Sequence, residues 1–81
     1  MKYTIAIQNG EYPFYAVQNS AHAAYECVAE LSRTLFRDYG IDLDEVLYEI
    51  ALMSCGKVTS YFVGCLSIRA GTPENEERGS E

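Results

Sequence analysis

The segment NSAHAAYECVAELSRTLFRDYG, residues 19–40, sets Ala21, Ala24, Tyr25, Val28, Leu31, Leu35 and Tyr39 at intervals of three and four. That spacing draws one apolar stripe along a helix. Glu26, Glu30, Arg33 and Arg37 fall on the other side, with Glu30 and Arg33 spaced to pair. Ser20 suits the N-cap. Gly40 suits the left-handed position past the last turn, with Ile41 as the apolar residue that follows. A striped helix must lie on a second apolar surface, so the rest of the chain has to supply one.

Strands supply it. KYTIAIQ, residues 2–8, alternates Tyr3, Ile5 and Ile7 with Thr4, Ala6 and Gln8. Asn9-Gly10 then favours a turn. In a two-residue hairpin about that pair, Pro13 would face Ala6 with no N–H to give. A longer loop, 9–13, with a second strand FYAVQ at 14–18 fits better, and Pro13 places that strand at an edge. KVTSYFVGCLSIRA, residues 57–70, alternates throughout and reads as one long strand with a bulge or bend at Gly64.

Between them lies IDLDEVLYEIALM. Asp42-Leu43-Asp44-Glu45 has the form of a capping box, with Ile41 and Val46 placed as a staple. Leu43, Val46, Leu47, Ile50 and Ser54 draw a second stripe reaching to about Met53. The rival reading makes 46–53 a strand, hairpinned to the next through Cys55-Gly56.

These elements predict an α+β fold, β-β-α-α-β, with a three-stranded antiparallel sheet and helices on one face. Ile5, Ile7, Phe14, Ala16, Phe62, Leu66 and Ile68 would face the helices. Thr4, Ala6, Tyr15, Val17, Tyr61, Val63 and Cys65 would face away. The reading gives one domain over residues 1–70 and a disordered acidic tail over 71–81, GTPENEERGSE, which has no large apolar side chain.

The 81 residues carry a net charge of −6. Half of it lies in 71–81, with four acids against one base. Such a balance argues against direct binding to nucleic acid or an anionic membrane, because phosphates call for Lys and Arg. No apolar run is long enough to span a bilayer. The N-terminus lacks the apolar stretch of a signal peptide. A cytoplasmic location is expected. Cys27, Cys55 and Cys65 are odd in number and have no CxxC spacing. They are expected to be reduced, half-buried thiols.

No catalytic or metal constellation emerges. His22, the one histidine, sits five residues before Cys27, about 140° around an ideal helix, so the two cannot share an ion. The acidic stretch has no glycine-turned calcium loop, and no glycine-rich phosphate motif occurs. No cofactor, metal or enzymatic activity is expected.

What stands out is DYGIDLDEVLYE, residues 38–49, with five carboxylates and no base. Asp42, Asp44 and Glu45 are accounted for by capping and by the helix dipole. Asp38 and Glu49 are not. Tyr39 and Tyr48 add flat contact area. Asp38, Tyr39, Asp42, Asp44, Glu45, Tyr48 and Glu49 are therefore the candidate partner-binding face, set against the plainer reading of a solvated charge run. The outward sheet residues Tyr15, Val17, Tyr61 and Val63 form a second candidate surface, for homodimerisation or assembly.

The hairpin, the stretch YAVQNSAHAAYECVAEL and the acidic remainder resemble, over residues 3–40, small accessory proteins of bacteriophages and mobile elements, anti-CRISPR inhibitors among them. The resemblance is one of pattern, and no signature residue is carried over from it. It implies a non-enzymatic inhibitor that offers carboxylates to the Lys/Arg surface of a nucleic-acid-handling protein, such as a CRISPR effector. The alternative is a homo-oligomeric structural module joined through its sheet face.

Overall fold

The computed structural model describes residues 1–8 and 13–71. Two helices lie on one face of a four-stranded antiparallel sheet. Strands β1 (Lys2–Ile7) and β2 (Phe14–Gln18) are followed by helices α1 (Ala21–Arg33) and α2 (Leu43–Ser54), then strands β3 (Ser60–Val63) and β4 (Leu66–Gly71). The spatial order is β2-β1-β4-β3. β2 is an edge strand, as Pro13 predicts. The loop expected over 9–13 and the tail expected over 71–81 fall outside the described residues, except for Pro13 and Gly71. Gly71 is not tail: it closes β4 opposite Lys2.

The expected single strand 57–70 is in fact two. Val63 pairs with Leu66, leaving Gly64-Cys65 as a two-residue turn. Gly64 takes φ +57, a region that costs glycine nothing. The consequence reaches past one extra strand. Across a continuous strand, residues 62 and 66 share a face; across a two-residue hairpin, 63 and 66 do. Tyr61 pairs with Ile68 and Val63 with Leu66, so both lie on the helix side. Phe62, expected inside, is on the open side and 58% exposed.

α1 begins as the sequence predicts, with Ser20 Oγ accepting from the Ala23 amide at 3.1 Å. It ends at Arg33 rather than Tyr39. Thr34 Oγ1 donates to the Glu30 carbonyl at 2.7 Å, and the Phe36 amide reaches back to the Leu31 carbonyl. The hydroxyl thus competes for the helix's own acceptor, and the chain turns. Phe36 swings into the core and is fully buried, while Leu35 is 56% exposed. Arg37–Tyr39 form a short 3-10 helix closed by Gly40 in the left-handed region, so Gly40 terminates this turn and not α1.

Residues 46–53 are helical. Asp42 caps α2, its Oδ1 accepting from the amides of Asp44 and Glu45 at 3.1 and 3.2 Å. The far end is a Schellman motif. The Gly56 amide bonds the Met53 carbonyl and the Lys57 amide bonds that of Leu52. Gly56 at φ +77 makes that closure possible. Within α2 the buried residues are Val46, Ile50 and Met53, while Leu47 is exposed.

The core lies between the layers. Tyr3, Ile5 and Ile7 of β1 with Leu66 and Ile68 of β4 meet Ala24, Val28 and Leu31 of α1, Phe36, and Val46, Ile50 and Met53 of α2. Each large side chain buried there contributes roughly 1.5–3 kcal/mol. No helix among the described residues is long and apolar enough to cross a membrane.

Candidate functional site

The hairpin that inverts Tyr61 also builds the site. From edge strand β3, the Tyr61 hydroxyl donates to Glu45 Oε2 of α2 at 2.6 Å. Burial raises the Tyr61 phenol well above its ordinary range. The hydrogen bond to Glu45 raises it further, as do the charges of Glu45, Glu49 and Asp42. One carboxylate of the candidate face thus accepts from this hydroxyl, and two more act on it through charge alone. Tyr61 stays protonated and donating, which fixes the Glu45 rotamer and ties β3 to α2.

The other expected residues divide by role. Asp42 spends its side chain on the helix cap. Asp44 and Tyr48 project outward from α2, Tyr48 being 62% exposed. Leu47 is exposed between them and joins that surface. Asp38 and Tyr39 lie on the 3-10 helix rather than in the last turn of α1. Tyr39 is partly spent on the fold, its ring edge-on to Phe36 at 4.9 Å between centroids.

Among the described residues, the close acid–base contacts are the Glu30–Arg33 ion pair at 3.3 Å and His22 Nε2 with Glu26 Oε1 at 4.0 Å. Neither involves the stretch 38–49, so its carboxylates stand without a basic partner among those residues.

Of the second candidate surface, Tyr15 and Val17 are on the open sheet side and exposed. Tyr61 and Val63 are not on that side, for the parity reason given above. Phe62 stands there instead, with the Arg69 guanidinium carbon 5.8 Å from its ring centroid. Sequence reasoning missed Phe62, although a run of fourteen residues is far longer than an ordinary strand of about five or six. That length, with a glycine near its middle, was the available signal.

The cysteines are free. Cys27 and Cys65 are half-buried as expected, but Cys55 at the end of α2 is exposed. Burial pushes the Cys27 thiol up, against the lowering effect of its hydrogen bond with Gln18. A thiol shifted upward is a poor nucleophile. Among the described residues, no three His, Cys, Asp or Glu side chains gather closely enough to hold a metal ion.

Comparison with family models, with curated proteins and with solved structures finds no match for this chain.

Proposed function

We propose that this protein is a non-enzymatic, protein-binding inhibitor or regulator that presents the acidic face of α2 and the adjoining 3-10 helix to a basic surface of a nucleic-acid-handling protein. The observation that carries the reading is the set of carboxylates without basic partners, with Glu45 held in place by Tyr61. Pre-ordered anions lose less entropy on pairing with Lys or Arg than free ones do. Charge speeds and orients the encounter, and Tyr48 with Leu47 adds apolar contact that slows release. A bacteriophage or mobile-element inhibitor would use such a face on a CRISPR effector or a similar enzyme.

Asp38 and Glu49 are the residues to test, because neither caps α2 nor holds Tyr61 by hydrogen bond. A partner captured from nuclease-treated host lysate at low salt should lose at least about ten-fold in affinity for Asp38→Lys/Glu49→Lys and weaken as salt rises. Unchanged affinity in a folded double variant removes the acidic-face mechanism.

The second reading is a homo-oligomer joined through the open sheet face. It retains Tyr15 and Val17, gains Phe62, and loses Tyr61 and Val63. A monomer by light scattering at tens of micromolar would exclude it.

A further inference from the structure

The net charge of the whole chain conceals how the charge is arranged. By the ladder register, the open side of the sheet carries Lys2, Thr4 and Ala6 of β1, Tyr15 and Val17 of β2, Phe62 of β3, and Ser67 and Arg69 of β4. Two of these are cations and none is an acid. The described acids lie on the helices and the 3-10 turn behind the sheet.

The same register fixes a geometry. Tyr15 pairs with Ala6, Ala6 with Ser67, and Ser67 with Phe62. One row across the sheet thus runs aromatic, small, small, aromatic, its ends about 14 Å apart at three strand spacings. A groove of about 340 Å³ lies over the small residues. Thr4, Ser67 and Gln8 are among its lining residues, with the Ser67 hydroxyl donating to the Ala6 carbonyl at 3.5 Å. In the next row, Arg69 leans over Phe62, and Lys2 stands one pleat further along β1, beyond the groove lining, its ammonium donating to Asn19 Oδ1 at 3.3 Å.

We infer that this groove is a binding site for single-stranded RNA, with bases stacked on Tyr15 and Phe62 and phosphates against Arg69 and Lys2. Charge complementarity selects the occupant. A second copy packed face to face would set cations against cations, with no acid among the described residues of that face to answer them. A dry apolar partner would strand the Thr4 hydroxyl and the Gln8 side-chain amide. A single strand brings both what the walls favour, flat bases, and what the cations favour, phosphates. The Thr4 hydroxyl and the Gln8 amide both donate and accept, which suits the ribose 2′-hydroxyl and favours RNA over DNA. About two or three bases span the row.

The test is fluorescence anisotropy of the full chain with labelled ten-nucleotide oligo(U), the deoxyuridine oligomer of equal length, and a duplex. Oligo(U) should bind, with log K falling against log salt at a slope of about −1.4, or 0.7 for each of two phosphates. Tyr15→Ala and Phe62→Ala should each weaken binding by about ten-fold. Arg69→Gln should halve the slope. All three side chains are exposed, and circular dichroism confirms that each variant is folded. Equal affinity for the deoxyuridine oligomer overturns the assignment to RNA. Preference for the duplex, indifference to Tyr15→Ala and Phe62→Ala, or sedimentation as a dimer that Phe62→Ser dissociates overturns the site itself. Asp38→Lys/Glu49→Lys lies outside the groove, so failure of the acidic face and failure of this site are read separately.

Discussion

The two broad surfaces of this domain are built from the same core and carry opposite chemistry. On the helical side, Glu45 accepts from the Tyr61 hydroxyl, with the charges of Glu49 and Asp42 felt at the same group. On the sheet side, Arg69 and Lys2 accompany Tyr15 and Phe62, with no described acid among them. The difference shows that a net charge of −6 is an average over unlike surfaces. An inference about partners drawn from the average describes neither surface by itself. At physiological salt, charges more than about 8 Å apart through solvent are largely screened, so each face acts on what touches it.

The comparison presumes a common core, and the largest predicted effect tests that. Phe36→Ala should lose about 3–5 kcal/mol of stability in urea denaturation and dissolve both faces together. Leu35→Ala, one residue earlier, should stay within about 0.5 kcal/mol. Equal costs would mean that α1 runs on to Tyr39 with Leu35 inside.

Crossed binding assays sharpen the contrast between faces. Lys2→Glu/Arg69→Glu should cost the sheet face ten-fold or more in RNA affinity and leave capture of the protein partner within about two-fold, since exposed charges act locally. A large effect of one face's variants on the other's ligand would show that the surfaces are not independent.

Smaller effects separate structural from surplus carboxylates. Asp42→Ala removes the cap of α2 and should cost about 1 kcal/mol. Asp44→Ala removes only a favourable charge in the first turn, about 0.3–1 kcal/mol. If the two cost the same, capping does not distinguish Asp42 from its neighbours.

The last test concerns pH. The folded phenol of Tyr61 titrates above its unfolded value, so the folded state holds the proton that the unfolded state releases. The contribution is complete below about pH 10 and is lost as pH rises from there towards the folded pKa. Stability should therefore decline above pH 10, and Tyr61→Phe should flatten that decline. An equal decline in Tyr61→Phe would place its cause elsewhere.

Much of the fold was legible where periodicity and caps agreed. β1, β2, the start of α1 and the whole of α2 follow from alternation, Ser20 and Asp42. Two errors came from patterns that continue across a break. Residues 57–70 alternate without interruption, so Gly64 read as a bend in one strand; a two-residue turn preserves alternation within each arm while exchanging faces between them. The stripe of α1 likewise runs on to Tyr39 in sequence, and the Thr34 hydroxyl that ends the helix leaves no mark on hydrophobic spacing. The candidate acidic residues were legible as a charge run. The link from β3 to Glu45 was not, because Tyr61 reaches Glu45 only once the hairpin has turned it over.

The central ladder of the sheet pairs β1 with β4, the first strand with the last. Ile5 and Ile7 can pair early with Ala16 and Phe14 of β2, but their partners on the other edge, Ile68 and Leu66, come only with β4. The helices then have half a sheet to settle on, and closing so long a loop is slow compared with forming either helix. Completion of the sheet thus waits on its most distant pairing, and cutting the chain before β4 would leave one edge of β1 open, prone to join a neighbour's.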